Sequence, residues 1–468
     1  MIDFVYLSPE IVLFMVWFLV FLGTLFKGQS THIIWTCIVG TLSAVLQLFL
    51  SFRAETKTIF YDLFYIDGYS FLSRISLLFF SLLTYFWILY RHKRGRLFEQ
   101  ADIFFVSALT SYFSLLFITK NLILFFISIT FFVIAEQKQK APHFVSSYLF
   151  KNGTVCVSLF LISVLCLGYW NNGNLDILSI HKNLSQETRS VLFFVIIYLF
   201  AVGFFAGMFP FVLYVFRVFS ILPYYLITFL TYGFALTSIT LVFRLIGDHA
   251  LMLPENGDIL FYSKNIGGYL KVVSALTSIA GFLAIMRYKS IQSLLAGLWI
   301  TEMGLLLLSI VNAHSPGISV VLLHLFVMSL SFLAFVYLVF EHLDAKRNFS
   351  LIKNKWSGVL YFVAICAALG LPPFPGFFTR FLILSEAVKG ELLINTIVYM
   401  LTYFSFGFVL VKIIKAETFN AAVKKIPPER GMRSLALPAF SLFIVVLITP
   451  FFGVTLELIR KFTNNIFW

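Results

Sequence analysis

Four ionisable residues inside long apolar stretches of this 468-residue chain are candidates for chemistry, because a charge there is costly and usually functional. They are Lys151, Glu302, His324 and Arg380. Glu302 lies in the middle of its stretch with no charged neighbour there, so it needs a partner or a proton. His324, in the next stretch, titrates near neutrality and could be that partner. A carboxylate and an imidazole of this kind indicate a proton relay; the alternative is a buried histidine that is merely hydrogen-bonded.

Lys151 and Arg380 offer different chemistry. A buried lysine can take up and release a proton near neutral pH, although Lys151 lies near the start of its stretch and could instead extend toward the lipid headgroups. Arginine does not release its proton in proteins. Arg380 can therefore tune a pathway, anchor a carboxylate or hold water; the alternative is an arginine at the membrane interface or in a salt bridge. We predict that any proton path runs through Glu302, His324 and Arg380, with Lys151 the only central titratable group in the first half.

Two apolar stretches are interrupted by proline, at Pro210 in the first and at Pro372, Pro373 and Pro375 in the second. Proline removes a backbone donor and breaks a helix, and in a bilayer a freed carbonyl must be satisfied by protein or by a water-filled cavity. Breaks in corresponding positions of two halves indicate an ion or substrate pathway between inverted repeats. A simple packing kink is the alternative for either break taken alone.

The composition is that of a polytopic helical membrane protein. The chain is 60% hydrophobic and only 12% charged, the latter about half the share of a soluble domain. Runs of about 20 apolar residues predict about fourteen spans, the last at 435–458. The four cysteines lie in these spans without a C-x-x-C pair and are interpreted as buried apolar residues. The sequence has no nucleotide, flavin or metal motif, so no cofactor or metal is expected in this chain.

The formal charge of +13 is concentrated in loops such as 91–96 and 412–433. The positive-inside rule places these loops in the matrix or cytoplasm and both termini on the other side. Basic loops that set the membrane orientation and contact anionic lipid headgroups account for this positive charge, so no nucleic-acid partner is expected. Arg74, Asp102 and Arg244 lie near span ends and are expected at the membrane interface. An A+T-rich organellar genome would explain the 59 phenylalanines.

Several motifs, taken in chain order, resemble a known family. They are Ser8-Pro9-Glu10, Asp67-Gly68-Tyr69-Ser70, Gly203 to Phe211, Ser293 to Gly304, and Gly370-Leu-Pro-Pro-Phe-Pro-Gly-Phe-Phe-Thr-Arg380-Phe381. They are similar to subunit 2 of proton-pumping NADH:ubiquinone oxidoreductase, respiratory complex I, one of its three antiporter-like subunits. The resemblance covers nearly the whole length, and the sequence between the motifs is strongly divergent.

The resemblance implies an all-α membrane fold with two inverted five-helix repeats, in which the seventh and twelfth helices are broken. Pro210 and the Pro372–Pro375 segment fall on those two helices. The implied divisions are an N-terminal three-helix segment at 1–90, a first repeat at 102–246, a second repeat at 268–415, and a C-terminal helix and tail at 435–468.

The resemblance also implies a membrane-arm subunit that contributes to proton translocation coupled to quinone reduction, without redox chemistry of its own. Flavin, iron–sulfur clusters and quinone are then expected in other subunits. The expected partners are antiporter-like subunit 4, the small membrane subunits next to subunit 2, and phospholipids including cardiolipin. The expected location is the mitochondrial inner membrane, with both termini toward the intermembrane space.

The chain departs from the family in its first half. Lys151 matches a family lysine, but Phe205 and Ala235 stand where two others are usual, and no helix-5 glutamate precedes Glu136. Arg380 replaces a lysine. Because a Glu–Lys pair works by letting the carboxylate bias the lysine, we expect a degenerate channel here. A free-standing secondary cation/proton antiporter is the alternative, but it should keep that pair. A lipid-embedded enzyme such as a glycosyltransferase would need a catalytic loop that the longer polar segments do not supply.

Overall fold

The structure is a computed structural model of the chain. It describes residues 2–26, 29–52, 57–59, 64–92, 100–119, 143–176, 180, 189–221, 224–251, 257–287, 291–311, 317–343, 355–389, 394–400, 402–404, 407–408 and 436–464. These residues are mostly helical, as the sequence predicts. The predicted span near 120–136 lies outside the described residues.

The first half contains nine helices and two strands within the described residues. They are α1 (Ile2–Tyr6), α2 (Ser8–Leu25), α3 (Ser30–Ser51), β1 (Lys57–Ile59), β2 (Phe64–Ile66), α4 (Gly68–His92), α5 (Gln100–Ile118), α6 (His143–Trp170), α7 (Arg189–Ala206), α8 (Val212–Ile221) and α9 (Tyr224–Leu251). The strands form an antiparallel pair in which Thr58 lies opposite Tyr65.

The second half, as described, is also helical. Its helices are α10 (Gly257–Arg287), α11 (Ile291–Val311), α12 (Gly317–Leu343), α13 (Lys355–Ala368), α14 (Pro375–Lys389), the short apolar α15 (Ile394–Phe404), α16 (Ala436–Ile448) and α17 (Phe452–Asn464).

Seven described helical segments are long and apolar enough to cross a membrane unaided. They are Ser8–Leu25, Ser30–Ser51, Gly68–Tyr90, Ile227–Arg244, Gly267–Arg287, Ser293–Ile310 and Ile318–Leu338. The predicted span at 435–458 contains a break, because the chain bends by 85° between Leu437–Ile448 and Phe452–Lys461. Pro450 lies at this bend and has no N–H to continue the helical hydrogen bonds.

Packing divides the chain into two compact units. The first comprises Met1–Ala206, Phe229–Tyr269 and Lys461–Trp468, and the second comprises Gly207–Thr228 and Leu270–Arg460. One boundary between the units, at Ala206 and Gly207, coincides with the first proline-broken segment. The predicted repeats at 102–246 and 268–415 stay a prediction.

The first unit buries charges that the sequence placed at the membrane interface. Arg74 is 2% exposed and its Nη1 donates to Glu10 Oε1 over 3.1 Å. Arg244 is 7% exposed and its Nη2 lies 3.5 Å from Asp67 Oδ1. Both arginines are therefore buried against a carboxylate that compensates their charge, and their predicted position at the membrane interface stays a prediction. The side chain of Asp102 lies outside the described part of the chain.

In the second unit, small residues let α10 and α11 approach closely. Ser274 Oγ donates to the carbonyl of Gly304 over 2.8 Å. A Cβ atom at Gly304 would overlap the side chain of Ser278. Small residues and hydroxyl hydrogen bonds are the usual means of packing helices closely in membranes. This contact fixes α11, which carries Glu302.

Both predicted helix breaks are confirmed. The first separates α7 from α8, and the second separates α13 from α14. The Phe209–Pro210 and Pro372–Pro373 peptide bonds are cis. Each break also contains a glycine with positive φ, at +70° for Gly207 and +59° for Gly370, a conformation that other residues adopt only with strain.

Candidate functional site

Glu302, His324 and Arg380 meet in the interior of the second unit, on α11, α12 and α14. Their exposed fractions are 3%, 0% and 2%. His324 Nε2 lies 3.0 Å from Glu302 Oε2. Arg380 donates through Nη2 to Glu302 Oε1 and through Nε to Oε2, the latter over 3.3 Å. The predicted pairing of Glu302 with His324 is therefore confirmed as a contact, and the guanidinium forms a two-pronged ion pair with the same carboxylate.

Arg380 also bonds to the broken backbone. Its Nη1 donates to the carbonyl of Leu369, and its Nη2 lies 3.3 Å from the carbonyl of Ala368. In a continuous helix these carbonyls would accept from the N–H groups four residues later. Those residues are Pro372 and Pro373, which have no N–H. The guanidinium therefore replaces the two donors that the two prolines remove.

The next carbonyl in the break is satisfied by a tyrosine. Tyr403 Oη donates to the carbonyl of Gly370 over 2.8 Å. The Arg380 guanidinium carbon lies 5.4 Å from the centre of the Tyr403 ring, within the range of a cation–π contact. A Cβ atom at Gly370 would overlap the guanidinium. Glycine is thus required here both by its φ and by the close approach of the arginine.

The other ring nitrogen of His324 faces a threonine. His324 Nδ1 lies 2.8 Å from Thr379 Oγ1, and Thr379 is fully buried. The same hydroxyl lies 3.1 Å from the carbonyl of Gly376 and 3.3 Å from that of Pro375. Sequence reasoning missed Thr379, although it directly precedes Arg380 in the motif and lies one helical turn after Pro375.

Sequence reasoning also missed two tyrosines of the site. Tyr399 Oη donates to Glu302 Oε2 over 3.4 Å, and Tyr403 bonds to the break as described above. Both lie in the apolar helix α15, and no motif marks either of them. Their spacing of four residues places them on one helical face, which is the signal that was available.

The three charged groups have distinct chemical capacities. Arg380 keeps its proton in any protein environment, so it supplies a fixed positive charge. Glu302 supplies the compensating negative charge that a buried guanidinium needs. Of these three groups, His324 is the one whose ring ordinarily exchanges a proton near neutral pH. The arrangement can hold or release one proton at the imidazole beside a fixed ion pair.

The first helix break and the candidate residues of the first half of the chain have different surroundings from those at the second break. At the first break the N–H of Phe209 donates to Thr277 Oγ1 over 3.0 Å, which is a neutral contact. Ala235 is fully buried in α9. Lys151 and Phe205 lie in helices α6 and α7, and their side chains lie outside the described residues. The role of Lys151 therefore stays a prediction.

The structure combines apolar spanning helices with two proline-broken segments, and a buried ion pair holds the second break. These features define an antiporter-like membrane protein. Residues 113–405 match the family model described as NADH:quinone oxidoreductase/Mrp antiporter, TM. This match covers more than half of the chain, and the chain belongs to that family.

The curated relatives are bacterial. NADH-quinone oxidoreductase subunit N of Rickettsia felis is 23% identical over 291 residues, which are 59% of this chain and 61% of the relative. The subunit N of Xanthomonas euvesicatoria pv. vesicatoria is 24% identical over 294 residues, which are 60% of this chain and 58% of the relative. The chain thus matches less than two thirds of the length of these relatives.

Solved structures share the fold over nearly the whole chain. Respiratory complex I from Thermus thermophilus with bound aureothin gives a TM-score of 0.75 at 17% identity, covering 96% of this chain and 98% of that one. An archaeal membrane-bound sulfane sulfur reductase gives 0.80 at 16%, covering 100% and 97%. The Mrp complex from Dietzia sp. DQ12-45-1b gives 0.77 at 15%, covering 100% and 97%. The expected antiporter-like fold is therefore confirmed.

Proposed function

We propose that this chain is a membrane-arm subunit of a proton-pumping NADH:quinone oxidoreductase, the counterpart of bacterial subunit N and of mitochondrial subunit 2. Its sequence relatives are subunits N, and its motifs follow the subunit-2 order. The shared fold includes Mrp complexes as well, so the fold leaves both kinds of assembly open, while the named sequence relatives favour the oxidoreductase.

The observation that carries a role in proton translocation is the His324 imidazole held between Glu302 and Thr379 beside the clamped break. An intramembrane histidine with a carboxylate partner is a typical proton-relay element. Because Arg380 cannot release its proton, the proton is exchanged at His324 while the Glu302–Arg380 pair stays fixed. The first half, with Phe205 and Ala235 in place of lysines, lacks a comparable relay of its own in this proposal.

The proposal includes the wider assembly. The chain does no redox chemistry, and flavin, iron–sulfur clusters and quinone belong to other subunits. Its partners are antiporter-like subunit 4, the neighbouring small membrane subunits, and phospholipids including cardiolipin. The abundance of phenylalanine favours an organellar gene and the mitochondrial inner membrane, whereas a bacterial protein of this family would lie in the plasma membrane. The basic loops face the matrix and both termini face the intermembrane space.

Native gel electrophoresis of mildly solubilised membranes, followed by mass spectrometry, tests the assembly. We expect this chain to co-migrate with NADH dehydrogenase subunits. Recovery as a lone monomer or homodimer would contradict the proposal. Labelling of an Arg94→Cys variant from the matrix side and not from the opposite side tests the orientation.

Proton transfer is tested by Glu302→Gln, which is expected to reduce NADH-driven proton uptake into membrane vesicles, measured per assembled complex because the variant also leaves Arg380 without its counter-ion. An amide of similar shape keeps some hydrogen bonding but cannot balance the charge of Arg380 or of a protonated His324. Thr237→Val, a buried substitution in α9, is the control. Unchanged proton uptake in Glu302→Gln would remove Glu302 from the path.

A further inference from the structure

Thr379 has two alternative acceptors for its single proton. One is His324 Nδ1 at 2.8 Å, and the other is the backbone, through the carbonyl of Gly376 at 3.1 Å or that of Pro375 at 3.3 Å. A hydroxyl donates one hydrogen bond at a time and can accept others. The direction of the Thr379 O–H bond therefore decides whether the threonine donates to the imidazole or accepts from it.

Each direction matches one protonation state of His324. When Thr379 donates to Nδ1, that nitrogen is unprotonated, and the neutral ring donates through Nε2 to Glu302. When Thr379 donates to a backbone carbonyl, its oxygen accepts a hydrogen from Nδ1, and the ring can also donate through Nε2 to Glu302. The ring is then an imidazolium. The two arrangements differ by one proton, which is exchanged with water, and the heavy atoms stay in place.

We propose that Thr379 is the positioning residue that selects the protonation state of His324, by turning its hydroxyl between the imidazole and the first turn of α14. This inference rests on the proposed function, and it assigns Thr379 the role of controlling the protonation of His324. The backbone acceptors lie at the end of the second break, directly after Pro372 and Pro373. A shift of the α14 start relative to α12 therefore changes the protonation state that the site favours.

The groups around His324 allow this selection. Among the described residues, Glu302 from α11 and Arg380 from α14 form a compensated ion pair on the Nε2 side. Tyr399 and Tyr403 from α15 add hydroxyls that bond to Glu302 and to the carbonyl of Gly370. Thr379 is the described group that contacts Nδ1. The two ring nitrogens thus have different surroundings. Charged groups balance the ring at Nε2, and the Thr379 hydroxyl selects the protonation state at Nδ1.

The test uses the assembled complex in its native membranes, with NADH-driven proton uptake measured against pH. Thr379→Val keeps the shape and removes the hydroxyl. A hydrogen bond from an imidazolium is about twice as strong as one from a neutral donor, so its loss disfavours the imidazolium. We expect the pH profile to shift by about 0.7 pH unit toward acid, which is about a fivefold loss of proton affinity. Thr379→Ser should restore the wild-type profile.

Controls separate this role from packing. Thr237→Val removes a buried hydroxyl that bonds to a backbone carbonyl in α9, and should leave the profile unchanged. If Thr379→Val fails to assemble, Thr379→Ala removes the same hydroxyl with less bulk and should give the same shift. Superimposable profiles for the wild type and the assembled hydroxyl-free variant would overturn the inference, as would equal defects in the serine and valine variants. Wild-type membranes without NADH-driven proton uptake would instead contradict the proposed function itself.

Discussion

Replacing Arg380 by lysine tests whether the guanidinium holds the second helix break. The lysine keeps the positive charge beside Glu302, so the ion pair can persist. Its ammonium is a compact point charge without the planar fork of arginine. It therefore cannot pair with the carboxylate in two-pronged geometry and also reach the carbonyls of Ala368 and Leu369. We expect the variant to assemble with reduced stability.

The expected loss of stability follows from the number of backbone carbonyls that Arg380→Lys leaves without a hydrogen-bond donor. Each buried acceptor that loses its partner costs about 1–3 kcal/mol. Two carbonyls depend on the guanidinium, so Arg380→Lys should destabilise the second unit by about 2–6 kcal/mol if neither is satisfied, and by about half of that if the ammonium reaches one. The assay is the temperature at which the subunit is lost from the native complex on gels.

A double-mutant cycle isolates the effect. Alanine at Pro372 and Pro373 restores two N–H donors to the backbone, which can then satisfy the same two carbonyls. Arg380→Lys should therefore cost about 1–3 kcal/mol less in that background. The matched control is Arg287→Lys at the exposed end of α10, which should be neutral. Equal losses of stability with and without the prolines would refute the idea that the arginine replaces their missing donors.

Three further substitutions test other contacts by the same thermal assay. Gly370→Ala should cost about 1–3 kcal/mol or more, because alanine is strained at positive φ and its methyl group overlaps the guanidinium. Thr277→Val should cost about 1–3 kcal/mol by leaving the Phe209 N–H without its acceptor; Thr277→Ser should be close to neutral. Glu10→Gln should cost about 3–5 kcal/mol by leaving Arg74 unbalanced, and adding Arg74→Met should recover much of it. A neutral result in any of the three would contradict the corresponding contact.

The sequence predicted the features that depend on local chemistry. The breaks follow from proline itself, because a residue without N–H and with a fixed φ interrupts a helix wherever it falls. The pairing of Glu302 with His324 follows from the cost of an isolated charge in hydrocarbon, which limits the possible partners to the few polar residues of nearby spans. Pro450 likewise indicates a break in the last apolar segment. Spans are identified from hydropathy averaged over many residues, however, and one proline barely changes that average.

The features that the sequence did not predict depend on contacts between distant segments. Glu10 and Arg74 are 64 residues apart, and positions near span ends do not show which ends are covered by neighbouring helices. Arg380 lies 11 residues after Leu369, and only the geometry of the break brings its guanidinium back across those carbonyls. The selecting hydroxyl of Thr379 depends on a separation of 2.8 Å from His324, which no spacing rule supplies.

The two breaks leave different backbone groups without helical partners, and the side chains that satisfy these groups differ in charge. Thr277 satisfies a freed N–H at the first break with a neutral hydroxyl, so that contact carries no charge that a proton could alter. Arg380 satisfies freed carbonyls at the second break with a charged group, and therefore requires Glu302 as a counter-ion. Glu302 in turn bonds to His324, so we expect the stability of this break to depend on the protonation of the imidazole. A charged clamp of this kind lets one proton change the free energy of a helix break, which is why we assign the surviving proton chemistry to the second half of the chain.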